Sequence, residues 1–579
     1  MPAHSTRSAR WSQRISRPGA GLHPLGSTDS ILDPLDRDAS KDIDLGPVGQ
    51  TKETTAKLED LGETSEAIDK PESPSGWKLF VIVLGICLAV LCMALDNTIL
   101  ATAIPRITSQ FNSLEDMGWY ASAYMLTQCS MTLAYGKLYT FYVVKWVYLI
   151  ALTLFEVGSL ICGAAPNSLT LIIGRAIAGA GGAGLLVGSF IIVAAITPLE
   201  KRPIYNAILS SIYGIAGVIG PLLGGAFTDY ASWRWCFYIN LPIGGLTAFF
   251  VLLCFREEKP TRAPARPFQQ VLELDLFGLI IFLPAIICLL LALQWGGAKY
   301  PWDSWRIITL LVVSGVLILA FIAIEYGQQD RAIIPPRLIQ SRNVWGSVIF
   351  SFCITGAFIV FTYYLPIWFQ SVKGESATMS GVMNIPLILS VTITSMLVGW
   401  AVTAVGFYMP FMYAAPVIAS VGAGLLSTFH VDSGHPSWIG FQALFGIGVG
   451  LGLGLPVVVI QAVLPPERTS SGTALITFTQ SIAGALFNFV GQSVFQAELM
   501  RRLAAYAPSA DASEILAAGA SGFRDSVSVD ELPGVLLAYN SAVTHAFYVG
   551  VALASASMIG TIPLRWISVK GKRIEPGAA

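Results

Sequence analysis

The chain has 579 residues, of which 54% are hydrophobic and only 12% charged, against roughly 25% charged in an ordinary soluble protein. With 55 glycines as well, that excludes a cytosolic enzyme and a disordered scaffold. A formal net charge of -1 argues against nucleic acid as a partner.

Residues 1–76 are polar and hold 22 of the charged residues. They are expected to form a disordered cytoplasmic tail, basic at first (Arg7, Arg10, Arg14, Arg17) and acidic after. No signal peptide is expected before the first apolar run at Trp77, and that run is expected to act as an uncleaved insertion signal. A helix needs roughly 20 apolar residues to cross a bilayer. Fourteen such runs follow, at about 77–104, 116–137, 145–165, 168–196, 204–228, 234–255, 273–294, 305–326, 344–369, 379–404, 409–429, 437–463, 472–496 and 536–566. The break between the tenth and eleventh has almost no polar residues, so the count is least secure around 379–429. Residues 497–535 form one long outer segment, expected to fold as short surface helices, and 568–579 a second tail.

Lys and Arg set the orientation. With the N-terminal tail inside, the short inner segments and the C-terminal end hold most of them, among them Lys137, Lys145, Lys201, Arg202, Arg331, Arg337, Arg342, Arg468 and Arg565. The short outer segments hold Arg106, Arg234, Lys299, Arg306 and Lys373. Both termini are therefore expected in the cytoplasm.

A charge within a span costs at least a few kcal/mol and marks a functional candidate. Asp96 lies in the outer half of the first span. Arg175 lies roughly 10 Å into the fourth span from the same side. The two opposite charges share a level, as a structural ion pair or as a proton site whose acid is tuned by the arginine. Glu156 lies near mid-depth of the third span and is the other carboxylate candidate for proton coupling.

The stretch Gly179-Ala-Gly181-Gly-Ala-Gly184 fits GxGxxG formally, but it lies inside one apolar helix and does not follow a strand. No P-loop and no Cys/His cluster is present, so no cofactor and no metal is expected. Glycines at this density let helix backbones approach closely. They recur in the fifth span (Gly214, Gly217, Gly220, Gly224, Gly225), around Pro221, which is expected to kink that helix. Smooth faces suit helices that slide or rock, as in a transporter.

On the second span Tyr120, Tyr124 and Gln128 recur every four residues and share a face.

Several motifs resemble the major facilitator superfamily, in particular its fourteen-helix drug:proton antiporters of fungi. Leu95-Asp96-Asn97-Thr98-Ile99 with Ala103-Ile104-Pro105 resembles the first-helix motif of that group. Gly174-Arg175 and the glycines after it resemble the fourth-helix motif. Gly214-Ile-Ala-Gly217-Val-Ile-Gly220-Pro221-Leu-Leu-Gly224-Gly225 resembles the fifth-helix antiporter motif, and Trp233 to Pro242 follows as in these fungal proteins. One departure stands in the loop between spans two and three, where Thr140 replaces the usual acid and Val143 the second glycine. The resemblance therefore does not carry over the charge latch that this loop forms in relatives, and since fungal fourteen-helix members often show a similar form, it implies no loss of function.

The resemblance implies an all-α polytopic fold working by alternating access. It also implies that the first, second, fourth and fifth spans face the ninth, tenth, twelfth and thirteenth, so that Asn97, Tyr120, Tyr124, Gln128, Tyr363, Tyr364, Asn384, Gln480 and Asn488 are expected to line a cavity of aromatic rings and neutral amides, suited to uncharged organic molecules. Residues 77–260 and 343–567 are two six-helix bundles, and 261–342 holds two extra central helices with a linker. It implies a monomeric, proton-coupled efflux pump for a hydrophobic secondary metabolite, mycotoxin or drug. Its partners are the cargo, protons and the lipid bilayer. Its place is the plasma membrane, or else a vacuolar or vesicular membrane. The alternative within the superfamily is an importer of a siderophore or basic amino acid. A membrane-embedded enzyme would need a catalytic cluster at a membrane face, and His430, Asp432 and His435 in one outer loop have nothing converging on them.

Overall fold

The computed structural model describes residues 76–111, 113, 116–255, 275–297, 299–509, 515, 522–524 and 527–570. The tail 1–75, most of the linker 256–274 and residues 571–579 lie outside the described residues, and so do the expectations placed on them.

Fourteen long helices follow one another: α1 (Gly76–Phe111), α2 (Met117–Phe141), α3 (Val144–Ala164), α4 (Ser168–Ile196), α5 (Arg202–Tyr230), α6 (Asn240–Cys254), α7 (Leu276–Trp295), α8 (Trp305–Gln328), α9 (Arg342–Ser371), α10 (Ile385–Val405), α11 (Met409–Leu426), α12 (His435–Gly452, continued by Leu455–Val463), α13 (Pro466–Tyr506) and α14 (Leu532–Thr561). Among the described residues, 13 helices are long and apolar enough to cross a membrane. The exception is α2, which is 25 residues long but rich in Ser, Thr and Gln. It packs against α4 and α13 in the interior of the molecule, where polar side chains meet other helices.

The helices fall into two halves with matching contacts. In the first half α1 packs on α5 and α6, and α4 on α2 and α3. In the second half α9 packs on α13 and α14, and α12 on α10 and α11. The halves meet along two seams, α5 with α10 and α2 with α13. Helices α7 and α8 form a hairpin whose α7 leans on α2 and α13. On α8 the side chains of Val312, Val316, Leu319 and Ile322 are exposed, the surface a lipid tail covers. Gly85 near the start of α1 faces Phe250 near the end of α6, and Lys145 at the start of α3 donates to the Phe255 carbonyl. Lys137 near the end of α2 donates to the Arg331 carbonyl before α9, and Gly346 near the start of α9 faces Gly560 near the end of α14. The start of α1 and the end of α14 therefore share one face. We call it the terminal face, and the opposite one the distal face.

Three boundaries differ from the sequence expectation. Helix α13 does not end near residue 496 but runs on to Tyr506. Glu498 accepts hydrogen bonds from Arg501 at 2.8 Å and Arg502 at 2.6 Å, the i+3 and i+4 spacings that support a helix. The first part of the long outer segment is therefore an extension of a span. The tenth span breaks at Asn384, just before Pro386, and the twelfth at Leu453-Gly454, just before Pro456, because proline cannot donate to the preceding turn. The doubtful break after the tenth span is real. Gly406 takes φ 90°, a left-handed cap that a side chain would disfavour, and α11 begins at Met409. Helix α5 stays continuous through Pro221.

Candidate functional site

The buried charges come first. Asn167 caps α4, its side chain accepting from the backbone N–H of Thr170 at 2.9 Å, and this sets Arg175 two turns into the helix. Arg175 and Asp96 are 1% and 0% exposed, and Arg175 Nη1 donates to Asp96 Oδ2. Arg175 Nε donates to the Tyr120 carbonyl at 2.7 Å, and its guanidinium lies 4.5 Å from the centre of the Tyr124 ring. Asn240 of α6 donates to Asp96 Oδ1 at 3.4 Å and to Ser159 Oγ at 3.2 Å. Four helices thus hold one carboxylate. Sequence reasoning missed Asn240 and Ser159, because a neutral side chain in a span carries no charge to mark it.

Glu156 stands one turn before Ser159 on α3 and leans on Gly244 of α6, where a Cβ would overlap its carboxylate. Among the described residues neither of its oxygens has a hydrogen-bond partner.

The glycine motif of α5 does two jobs. A Cβ at Gly220 would overlap Thr98 Oγ1, and one at Gly224 would overlap Thr102 Oγ1 and the Ile99 carbonyl, so this face lies directly on α1. The close approach lets Thr98 donate across to the Ala216 carbonyl at 3.0 Å. Gly214 and Gly217 face Thr392 and Ile388 of α10 across the seam between the halves. Gly225 touches nothing within 4 Å.

A cavity of about 360 Å³ lies between the halves. Of the residues expected to line it, Asn97, Gln128, Tyr363, Gln480 and Asn488 do so. Ser210, Tyr213, Phe190, Thr355 and Phe358 line it as well and were missed. Among the described residues, those that line it include no acidic or basic side chain. Gln128 and Tyr213 both turn their donors to the Met93 sulfur, at 3.7 and 3.8 Å, a weak acceptor that leaves them free for a better one.

Four expected residues are placed elsewhere. Tyr120 is buried, its hydroxyl bonded to Ser113 and Ser168 at 2.6 and 3.0 Å. Tyr124 is buried beneath Arg175 and against Gly182. This part of α2 faces α4, and Met125 takes the cavity side instead. Tyr364 is buried against Gly491, because it points about 100° away from its neighbour Tyr363. Asn384 donates to the Thr362 carbonyl at 3.5 Å at the break before α10.

Matched helix halves around a central cavity, with buried charges beside it, define a secondary transporter embedded in a membrane. Residues 86–488 match the Major Facilitator Superfamily, and the chain belongs to that family. It is 61% identical to "MFS-type transporter opaD" of Aspergillus ustus, over 99% of each chain. It is 53% identical to "Efflux pump roqT" of Penicillium rubens, over 89% of this chain and 95% of that one. With "MFS-type efflux pump MFS1" of Arthroderma benhamiae the identity is 51%, over 93% and 99%. Among solved structures, the human organic anion transporter MFSD10 covers 84% of the chain with TM-score 0.54, and the proton:xylose symporter XylE 82% with TM-score 0.51. Both are 14% identical and speak to the fold alone.

Proposed function

We propose that this transporter exports an uncharged, largely apolar small molecule in exchange for entering protons, with Asp96 as the proton site. The observation that carries the proposal is the Asp96–Arg175 pair, sealed from solvent directly behind the cavity wall that Asn97 and Tyr213 form. A proton arriving at Asp96 removes its charge. Arg175 is then left with the Tyr120 carbonyl and the Tyr124 ring, and the balance between α1, α2, α4 and α6 changes. Glu156 is the second carboxyl that a proton can reach, within a few residues of the same network. Export, rather than import, is supported by relatives named efflux pumps and by the glycine pattern of α5. A cavity lined by rings and amides suits a secondary metabolite, toxin or drug better than a basic amino acid or an anionic siderophore, since no opposite charge lines it. The Lys and Arg bias supports a cytoplasmic terminal face, and a plasma-membrane location fits export from the cell.

The test is uptake of a fluorescent apolar dye into proteoliposomes under an imposed pH gradient. The parent chain accumulates dye when protons run in the opposite direction, and Asp96→Asn does not. Gradient-driven, pH-dependent accumulation by Asp96→Asn would overturn the assignment. Profiling of cells with and without the chain separates direction: more retained cargo in its absence means export, less means import.

A further inference from the structure

We infer that Gln461, with Asn206 and Arg202, is a latch that holds the cavity shut at the terminal face. Gln461 ends α12 in the second half and is 0% exposed. It makes three hydrogen bonds into the first half. Its Oε1 accepts from Asn206 Nδ2 of α5 at 3.0 Å. Its Nε2 donates to the Phe190 carbonyl of α4 at 3.3 Å. Its own carbonyl accepts from Arg202 Nη1 at 3.3 Å.

Arg202 adds a second tie. It donates from Nη2 to the Ala194 carbonyl at 2.7 Å and from Nε to the Thr197 carbonyl at 3.3 Å. One cation therefore caps the carbonyl ends of α4 and α12 together, where helix dipoles favour positive charge. The latch lies directly under the cavity. Phe190 supplies both a carbonyl to Gln461 and a ring to the cavity lining, and Val457, one turn before Gln461, is the facing wall. Opening the terminal face must break these bonds first. Because the bonds are neutral at the amides, the latch sets the resting access state without itself responding to pH. It leaves the response to the buried carboxylates.

A separate tie crosses the other seam, at the end of α2. Thr140 bonds the Gly136 carbonyl at 2.8 Å and meets Ser471 across the seam at 3.5 Å, which is a weak tie.

The test uses Ser210→Cys, on the cavity wall above the latch, as a reporter. A membrane-impermeant maleimide is applied to each face of sealed vesicles, whose orientation is read by protease cleavage of a C-terminal tag. In the reporter chain, labelling from the terminal face is slow. Adding Gln461→Leu, which removes both of its side-chain hydrogen bonds, is expected to raise that rate about tenfold, a net shift of about 1.4 kcal/mol in a two-state population. Asn206→Leu leaves the Arg202 bonds in place and is expected to act in the same direction, which covers the case in which Gln461→Leu fails to fold. The exchange Asn206→Gln with Gln461→Asn is expected to restore slow labelling. Unchanged terminal-face labelling in either leucine variant overturns the latch. That outcome is independent of proton coupling, since Asp96 takes no part in the measurement.

Discussion

At the scale of single residues, Arg175 and Asp96 show how a charge in a membrane span betrays itself. A hydrophilic side chain in an apolar run is costly, so it is conspicuous, and counting 1.5 Å per residue puts both at one depth. Its neutral helpers are not conspicuous. Asn240 looks like one more polar residue at a helix start, and only the fold brings it to Asp96. The same blindness hid Asn206 and Gln461. Because the pair is fully buried, breaking it should be far worse than removing it. Arg175→Met leaves an uncompensated carboxylate and is expected to lose about 3–5 kcal/mol. Combining it with Asp96→Asn is expected to recover most of that loss, because the orphaned charge is gone. Thermal unfolding in detergent of the two single variants and the double variant measures the coupling. A double-variant loss equal to the sum of the two single losses would mean that the pair does not interact in the folded chain.

At the scale of elements, the apolar runs were readable because each span must satisfy its own backbone and show lipid an apolar face. Interruptions were less readable. The breaks at Asn384 and Gly454 fall inside unbroken apolar stretches, and only the prolines two residues on hint at them. The extension of α13 was hidden for the opposite reason: Glu498, Arg501 and Arg502 look like a loop in composition but form a helix ladder. Cavity faces were half readable. Period 3.6 groups Tyr120, Tyr124 and Gln128, but it does not say which neighbour that face meets, and the two tyrosines meet α4. The α5 glycines permit a graded prediction. At Gly224 an added Cβ meets the Ile99 carbonyl, a backbone atom that cannot turn aside. At Gly220 it meets the Thr98 hydroxyl, which can rotate at the loss of its bond to Ala216, and the Thr98 Cβ at 2.8 Å, a milder overlap than the backbone contact at Gly224. At Gly225 it meets nothing. Gly224→Ala is expected to destabilise by about 1–3 kcal/mol, Gly220→Ala by less, and Gly225→Ala to be neutral or slightly favourable in a helix interior. Yield of folded protein and melting temperature should fall in that order, and a Gly225→Ala as damaging as Gly224→Ala would contradict the α1–α5 packing.

At the scale of the molecule, two halves with matching internal contacts share two seams, and the seams are lined by small residues. On one, Gly214 faces Thr392 and Gly399 faces Ala207. On the other, Gly136 faces Ala474, and Thr140 faces Ser471. Small side chains let backbones come close and part again without unlocking interdigitated rows, which is the mechanical condition for rocking one half against the other. The α2–α13 seam can be tested without touching the cavity or the amide latch. A Cβ at Gly136 would already overlap the Ala474 methyl, so Gly136→Leu is a wedge at the terminal end of that seam. Thr140→Cys with Ser471→Cys replaces two hydroxyls that stand 3.5 Å apart, within reach of a short thiol crosslinker. The crosslink is expected to form readily in the parent background and to drop about tenfold with Gly136→Leu, a shift of about 1.4 kcal/mol in the closed population. Transport should fall with it, because a cycle that cannot close the terminal face cannot build a gradient. Gly136→Ala should lie between the two. A wedge that left crosslinking intact would mean that the halves do not separate along α2 and α13, and the rocking would then have to be confined to the α5–α10 seam.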